Sequence, residues 1–504
     1  MNKRTAVIKN VLFGFGGQAI AIFVGIIVPR MIMTGYGSDM NGILSTLGQI
    51  FTYLSLLGAG VNQSSKNALY SPVKSNERDK ISEVISVTQG YFNRITAYYG
   101  ICVLLISAVE PFLLKTTIPR FDVFLIILLE GVASVISIRF IESYNALLAV
   151  DGRGYFISAV SLINKLAVYL IKIVFVLMGV NIILLQVGGV ILALLRVAVY
   201  KNYINRHYSW LTIRKADRLE QLKDRNSFFI TQIAWTVFSS TDMILLSMLL
   251  DTKLSSVYTV YNMIFANLAL LLNEVYFNVS FLLGRTYSES RKEYEKYHDA
   301  FTSVFLGAMT IMMCISVILC IPFVRLYTKG INDANYIYHS LPVLFAIVQL
   351  LSWSRYVPGN LTGLAGYARQ TSYISVAEAV VNIVVSLILI HFLGIVGVLI
   401  GTVAALPIKV IWCNYIADKK VMNRSFLQTI KILSANYILF AAAVLADRIL
   451  KPDITGAGSF IIWGILLTLG FTALGIAVNF AANPEMVRYV KKIIRSKKSA
   501  RTDH

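Results

Sequence analysis

The strongest constraint on this chain of 504 residues is a series of apolar segments, each long enough to cross a lipid bilayer. A membrane-spanning α-helix needs about 20 apolar residues. Hydrophobic residues make up 57% of the chain and charged residues only 14%, too few to cover the surface of a water-soluble protein of this size. The sequence therefore predicts an all-α polytopic membrane protein with about fourteen transmembrane helices. The predicted spans are 11–33, 43–65, 84–114, 121–149, 155–178, 182–204, 227–250, 255–284, 299–327, 337–366, 371–392, 396–417, 430–450 and 458–482.

The basic residues indicate the orientation of these spans. The net charge is +20, and most of the 46 lysines and arginines lie in the loops on the side of the N-terminus. That bias predicts cytoplasmic N and C termini in a bacterial cytoplasmic membrane. It also predicts contact with anionic inner-leaflet lipids, and leaves no need for a nucleic-acid partner. Seven basic residues lie on the other side: Lys115, Arg120, Lys253, Arg325, Lys329, Arg448 and Lys451.

An internal repeat divides the chain. The stretch that begins at Tyr155 resembles the one at Tyr373: each has a span, a hairpin with a glycine (Gly179 or Gly394), a second span and a final Asn-Tyr-Ile. The copies lie six spans apart, so they share one orientation. This predicts a first lobe at 1–215, a basic interlobe loop at 205–226, a second six-helix lobe at 226–417, two further spans within 418–482 and a basic cytoplasmic tail at 483–504.

The loops leave no room for a soluble catalytic domain, and the chain has no Walker or His-Glu-x-x-His motif. The four cysteines lie in apolar runs without metal-ligand spacing, which favours a packing role. We therefore expect a non-enzymatic secondary transporter with no metal and no cofactor.

Charged residues inside the predicted spans indicate a binding site, because a charge in the bilayer core is costly unless it faces a cavity or a partner. The first lobe has six such cations against Glu130 and Glu142. Uncompensated cations suit an anionic ligand, and arginine suits phosphate in particular. Two alternatives stay open: snorkelling to headgroups, and an i,i+3 ion pair of Arg139 with Glu142. The candidate pyrophosphate-binding residues are Arg30, Arg139, Lys165, Lys172 and Arg196.

Three acidic residues in later spans are candidates for coupling Na⁺ or H⁺, for contact with sugar hydroxyls, or for ion pairs with Arg355 and Lys409. They are Asp242, Glu274 and Glu378.

The first two spans carry a family resemblance. Their elements are Tyr36-Gly37, Asn41-Gly42, Leu57-Gly58-Ala59-Gly60 and Leu69-Tyr70-Ser71-Pro72, and Asp242 stands in Ser-Thr-Asp-Met-Ile-Leu-Leu. These residues resemble the polysaccharide branch of the multidrug/oligosaccharidyl-lipid/polysaccharide (MOP) exporter superfamily, which includes the O-antigen and capsule-repeat flippases.

The resemblance implies fourteen helices in two lobes around a central cavity, and alternating access. It implies an undecaprenyl-pyrophosphate-linked oligosaccharide as the substrate, moved from the inner to the outer leaflet for lipopolysaccharide or capsule synthesis. Polysaccharide polymerases and glycosyltransferases are then expected partners. Arg30 lies where lipid II flippases have a first-span arginine, but their second-span arginine is missing here. A lipid II flippase, a cation-coupled multidrug exporter and a membrane-embedded glycan polymerase or glycosyltransferase remain alternatives.

Overall fold

The computed structural model describes residues 17–213, 225–450, 454–486 and 488–489, and this part of the chain is helical with no β-strand. The beginning of the first predicted span, most of the basic interlobe loop and most of the C-terminal tail lie outside the described residues. The helices are α1 (Gly17–Lys74), α2 (Arg78–Leu113), α3 (Arg120–Phe140), α4 (Glu142–Val150), α5 (Gly154–Leu177), α6 (Ile182–His207), α7 (Arg225–Leu249), α8 (Thr252–Val279), α9 (Phe281–Glu289), α10 (Arg291–Tyr327), α11 (Leu341–Ser354), α12 (Tyr356–Leu364), α13 (Ala368–Leu393), α14 (Ile395–Tyr415), α15 (Leu427–Leu450) and α16 (Ala457–Ala482).

These helices confirm the prediction of an all-α polytopic membrane protein. Among the described residues, eleven helical stretches are long and apolar enough to cross a membrane. α1 covers the first two predicted spans and bends between them at Gly37, where φ is 87° and ψ is 165°. Glycine adopts this left-handed conformation at no steric cost. α7 covers the seventh predicted span. The number of helices that cross and the side of each terminus stay predictions.

The chain forms two compact units. Unit 1 comprises Met1–Ser256 and Gly330–Ala334, and unit 2 comprises Val257–Lys329 and Asn335–His504. The lobe boundaries predicted from the repeat rest on a different criterion, sequence similarity, and stay a prediction.

Unit 1 has a continuous apolar core, in which Ile43 and Leu47 of α1 pack with Val123 and Ile127 of α3. Close helix contact at Gly131 allows this packing, since a Cβ there would lie 2.2 Å from the Val103 side chain of α2. Small residues permit such backbone approach in membrane proteins. The result positions α1, α2, α3, α5 and α6 around the cavity described below.

In unit 2, the hairpin of α13 and α14 is held together by two glycines. A Cβ on Gly397 would lie 2.3 Å from the Leu389 carbonyl oxygen, and one on Gly401 would lie 2.2 Å from Ser386 Oγ. The two glycines are spaced as G-x-x-x-G, a pattern that lets neighbouring helices approach closely. Gly394 makes the tight turn with φ of 56°.

A helix break recurs in both units. α3 and α4 are separated at Ile141, and α11 and α12 at Arg355. The same spacing of 214 residues separates the start of α4 from that of α12 and the start of α5 from that of α13. Pro358 explains the second break, because it cannot donate to the Ser354 carbonyl. Asn414 Nδ2 donates to that carbonyl instead, at 3.2 Å.

Candidate substrate cavity

A cavity of about 400 Å³ lies within unit 1, lined by α1, α2, α3, α5 and α6. Its wall is mixed in chemistry: apolar residues such as Phe51 and Leu185 alternate with hydroxyl, amide and charged groups. The volume falls within the range of about 300 to 1,000 Å³ that is usual for small-molecule sites. The polar lining residues are Ser55, Tyr99, Glu130, Ser134, Ser137, Asn164, Lys172, Gln186 and Arg196.

Two of the predicted phosphate-binding cations line this cavity. Lys172 extends from α5 and Arg196 from α6. Arg196 donates from one terminal nitrogen to Ser161 Oγ at 3.2 Å, and its buried Nε has no hydrogen-bond partner among the described residues. Within the described part of unit 1, no carboxylate reaches ion-pair distance of either cation. Both therefore keep donor capacity for a ligand.

Glu130 is the acidic group of the cavity. It extends from α3, and the charge of Lys172 acts on it. Gln186 Nε2 donates to Glu130 Oε2 at 3.4 Å, a long hydrogen bond. The cavity thus presents two cations, one carboxylate, and neutral donors and acceptors between them.

The other predicted cations lie outside the cavity lining. Lys165 is exposed on α5, with its ammonium 5.8 Å from the Tyr169 ring centroid. Arg139 lies over the Phe140 ring, with 5.8 Å to the centroid, and Arg30 is half-buried on α1. The structure therefore brings Lys172 and Arg196 together and leaves the other three apart from them. Whether those three contribute to binding stays a prediction.

The alternative ion pair of Arg139 with Glu142 does not form. The α-helix is interrupted at Ile141, between the two residues, so an i,i+3 contact is lost. Glu142 Oε2 instead accepts a hydrogen bond from Asn62 Nδ2 at 3.2 Å, and the charge of Arg196 acts on it from α6.

The three acidic candidates of the later spans do not line the cavity. Asp242 is buried in α7 of unit 1, and Glu274 is half-buried in α8 of unit 2. Glu378 is buried in unit 2 and forms an ion pair with Arg355, and the charge of Lys409 acts on the same carboxylate. For Glu378 the structure thus contains the ion pair that was one of its predicted roles.

Glu130, Asn164 and Gln186 were not predicted as site residues. Helical spacing does not single out Asn164 or Gln186. Asn164 lies about 80° around α5 from Lys172, and Gln186 lies about 80° around α6 from Arg196. The proximity of Glu130 to Lys172 depends on the packing of α3 and α5 against α6, which no local spacing reveals.

Comparison with solved structures identifies the fold. The lipid II flippase MurJ, in an inward closed conformation, is similar with a TM-score of 0.66 and 14% identity, over 92% of this chain and 98% of that chain. This chain shares the fold of that flippase. An inward-facing MATE family multidrug resistance transporter of the MOP superfamily is also similar, with a TM-score of 0.63 and 14% identity, over 81% of this chain and 97% of that chain. A MATE in a bent conformation is similar with a TM-score of 0.57 and 14% identity, over 88% of this chain and 98% of that chain.

The MOP fold is shared by a flippase and by multidrug transporters, so it does not select a substrate. Neither a protein-family model nor a curated protein matches the sequence. The choice of substrate therefore depends on the chemistry of the unit 1 cavity.

Proposed function

We propose that this protein is a flippase that moves an undecaprenyl-pyrophosphate-linked oligosaccharide from the inner to the outer leaflet of the bacterial cytoplasmic membrane. It supplies cell-surface polysaccharide synthesis and works by alternating access without catalysing a reaction. The observation that carries the proposal is the cavity of unit 1. Lys172 and Arg196 face the same space there, and no carboxylate among the described residues forms an ion pair with either of them.

The charges of the cavity favour a phosphate-bearing substrate. A lysine and an arginine are costly at bilayer depth, by about 2.5 to 3.5 kcal/mol each on insertion scales. An anionic ligand offsets that cost, and a pyrophosphate offers oxygens to both cations. The exposed side of α5 carries Ile163, Leu170 and Leu177, an apolar surface suited to lipid chains.

The same charges weigh against a multidrug exporter for cationic compounds, the main alternative within this fold. Such a site would need a net negative charge, whereas the cavity has two cations against Glu130. A lipid II flippase remains closer in chemistry, since its substrate also carries a pyrophosphate. The absence of an arginine in the second span, 43–65, favours a different glycan.

The energy source of this proposed flippase is a Na⁺ or H⁺ gradient. Asp242, Glu274 and Glu378 are the proposed coupling residues, and at Glu378 a coupling ion would compete with the ion pair to Arg355. Glycosyltransferases that load the carrier lipid and a polymerase that consumes it are the proposed partners, with anionic inner-leaflet lipids around the basic loops.

Reconstituted vesicles test the proposal. The wild-type protein should move a fluorescent lipid-linked oligosaccharide between leaflets, and the double variant Lys172→Gln/Arg196→Gln should reduce the rate at least about tenfold, because both phosphate contacts are lost. Lys201→Gln is a matched control, since it removes an exposed cation of α6 that lies outside the cavity lining and is not a candidate binding residue.

Three results would contradict the proposal. The first is wild-type transport of a cationic dye with no movement of the lipid-linked oligosaccharide. The second is an unchanged rate in the double variant. The third is turnover of the glycan into a new product, which would indicate a polymerase or glycosyltransferase instead.

A further inference from the structure

Glu130 is the feature of the cavity that phosphate binding alone does not explain. A carboxylate in the same cavity as Lys172 and Arg196 repels the same anion that those cations attract. A site built only to hold phosphate would be better without it. Its cost has to be balanced by a contact that a pyrophosphate does not supply.

A purely structural role as a counter-ion for Lys172 does not fit the geometry. The ammonium of Lys172 and the carboxylate of Glu130 do not reach ion-pair distance, and no hydrogen bond joins the two side chains. Within the part of the chain that the structure describes, the one hydrogen bond to the Glu130 carboxylate is the long one from Gln186. An ionised carboxylate can accept about four hydrogen bonds, so most of its acceptor capacity faces the cavity.

The inference drawn here rests on the proposed function, in which the carrier lipid exists in two forms. The loaded form is a diphosphate diester, with one ionised oxygen on each phosphate and a sugar rich in hydroxyl donors. The bare form is a diphosphate monoester, whose terminal phosphate carries about 1.5 to 2 negative charges at pH 7. The two forms therefore differ by up to about one charge at the position that the sugar occupies in the loaded form.

We infer that Glu130 makes this cavity selective for the glycosylated carrier over the bare diphosphate. With the phosphates on Lys172 and Arg196, the first sugar donates hydroxyl hydrogen bonds to the Glu130 carboxylate. In the bare form the additional charge of the terminal phosphate lies close to the Glu130 carboxylate. The repulsion between them excludes the bare diphosphate from the cavity. Asn164 and Gln186 offer amides to the same sugar. Selection matters because bare carrier lipid that entered the cavity would compete with the glycosylated substrate for the same site.

The test compares two soluble probes on the purified full-length protein in detergent: farnesyl diphosphate and its glucosyl diester. The wild-type protein should bind the diester at least about tenfold more tightly than the bare diphosphate. Glu130→Gln keeps the shape of the side chain and removes its charge. It should bind the bare diphosphate about tenfold more tightly than the wild type does, with the diester affinity changed less than about threefold.

Glu142→Gln is the matched control, because it neutralises a nearby carboxylate that lies outside the cavity lining and accepts from Asn62. The preference for the diester should persist in this variant. Equal affinity of the wild-type protein for both probes would overturn the inference. This measurement uses only the wild-type protein, so it does not depend on the folding of a variant. Equal changes for both probes in Glu130→Gln would overturn it as well.

Failure of the proposed function gives a different pattern. Wild-type protein that binds neither probe would overturn both proposals. If the wild-type protein binds both probes and Lys172→Gln/Arg196→Gln binds neither, the phosphate site is supported. The ratio of the two wild-type affinities then decides the role of Glu130.

Discussion

At the scale of single residues, Asp39 joins three segments of unit 1. It follows the bend at Gly37 and accepts hydrogen bonds from the Thr117 backbone nitrogen at 2.8 Å, from Thr116 Oγ1 at 2.9 Å and from the Thr252 hydroxyl. Asp39 lies between the first two predicted spans. Burial raises the pKa of its carboxyl, but the hydrogen bonds to the ionised form outweigh this effect, so its pKa lies below the usual value.

Asp39→Asn should destabilise the protein by about 1 to 3 kcal/mol at neutral pH, because the amide accepts fewer and weaker hydrogen bonds. The folded pKa lies below the unfolded one, so this stabilisation is present above the unfolded pKa and is lost as the pH falls through the folded pKa. Unfolding in detergent should show a difference between wild type and variant that shrinks at acidic pH. Asp79→Asn, at an exposed site, is the control. A difference that grows on acidification would contradict the assignment.

The cavity-lining residues that the sequence singled out and those that it did not single out differ in one respect. Lys172 and Arg196 could be singled out because each is a cation in an apolar span with no acid in helical register. Glu130 acts through a contact between helices, and its role depends on packing. Arg424 illustrates the same limit: it has the sequence pattern of an ordinary cytoplasmic loop cation, yet it binds Asp299 with both terminal nitrogens at 2.7 Å and Asp418 through Nε.

At the scale of helices, length and hydropathy were sufficient to place nearly every element, because lipid leaves the helix as the main way to satisfy the backbone. The break at Arg355 has a sequence cause in Pro358, but the break at Ile141 has no proline near it. The break at Ile141 corresponds in the repeat to the break at Arg355, and only the folded structure reveals it.

The hairpin of α13 and α14 provides a prediction at this scale. Gly397→Ala should lower the stability of the protein by about 1 to 3 kcal/mol, because the new Cβ meets the backbone at Leu389, which cannot rotate away as a side chain would. Thermal unfolding in detergent measures the effect. Gly470→Ala in α16 is the control, since no atom lies within 4 Å of its Cβ position, and it should be neutral or stabilising. Equal melting temperatures for the two variants would contradict the close packing.

At the scale of the whole molecule, the basic residues separate into two groups with different consequences. Those in the loops account for the predicted orientation and do not require a ligand. Those at membrane depth are few, and of these Lys172 and Arg196 share one cavity while Arg355 is neutralised by Glu378. The predicted preference for an anionic substrate therefore rests on two side chains and not on the net charge of +20.

The orientation of the molecule can be measured with single cysteines. Ser75, between α1 and α2, and Asn332, between α10 and α11, are both exposed, and the predicted spans place them on the cytoplasmic and outer sides respectively. Asn332→Cys should react with a membrane-impermeant maleimide in intact cells, and Ser75→Cys only after permeabilisation. The wild-type protein controls for the native cysteines, three of which are buried and one half-buried. The reversed pattern would overturn the orientation, whereas labelling of both from one side would overturn the number of spans between them.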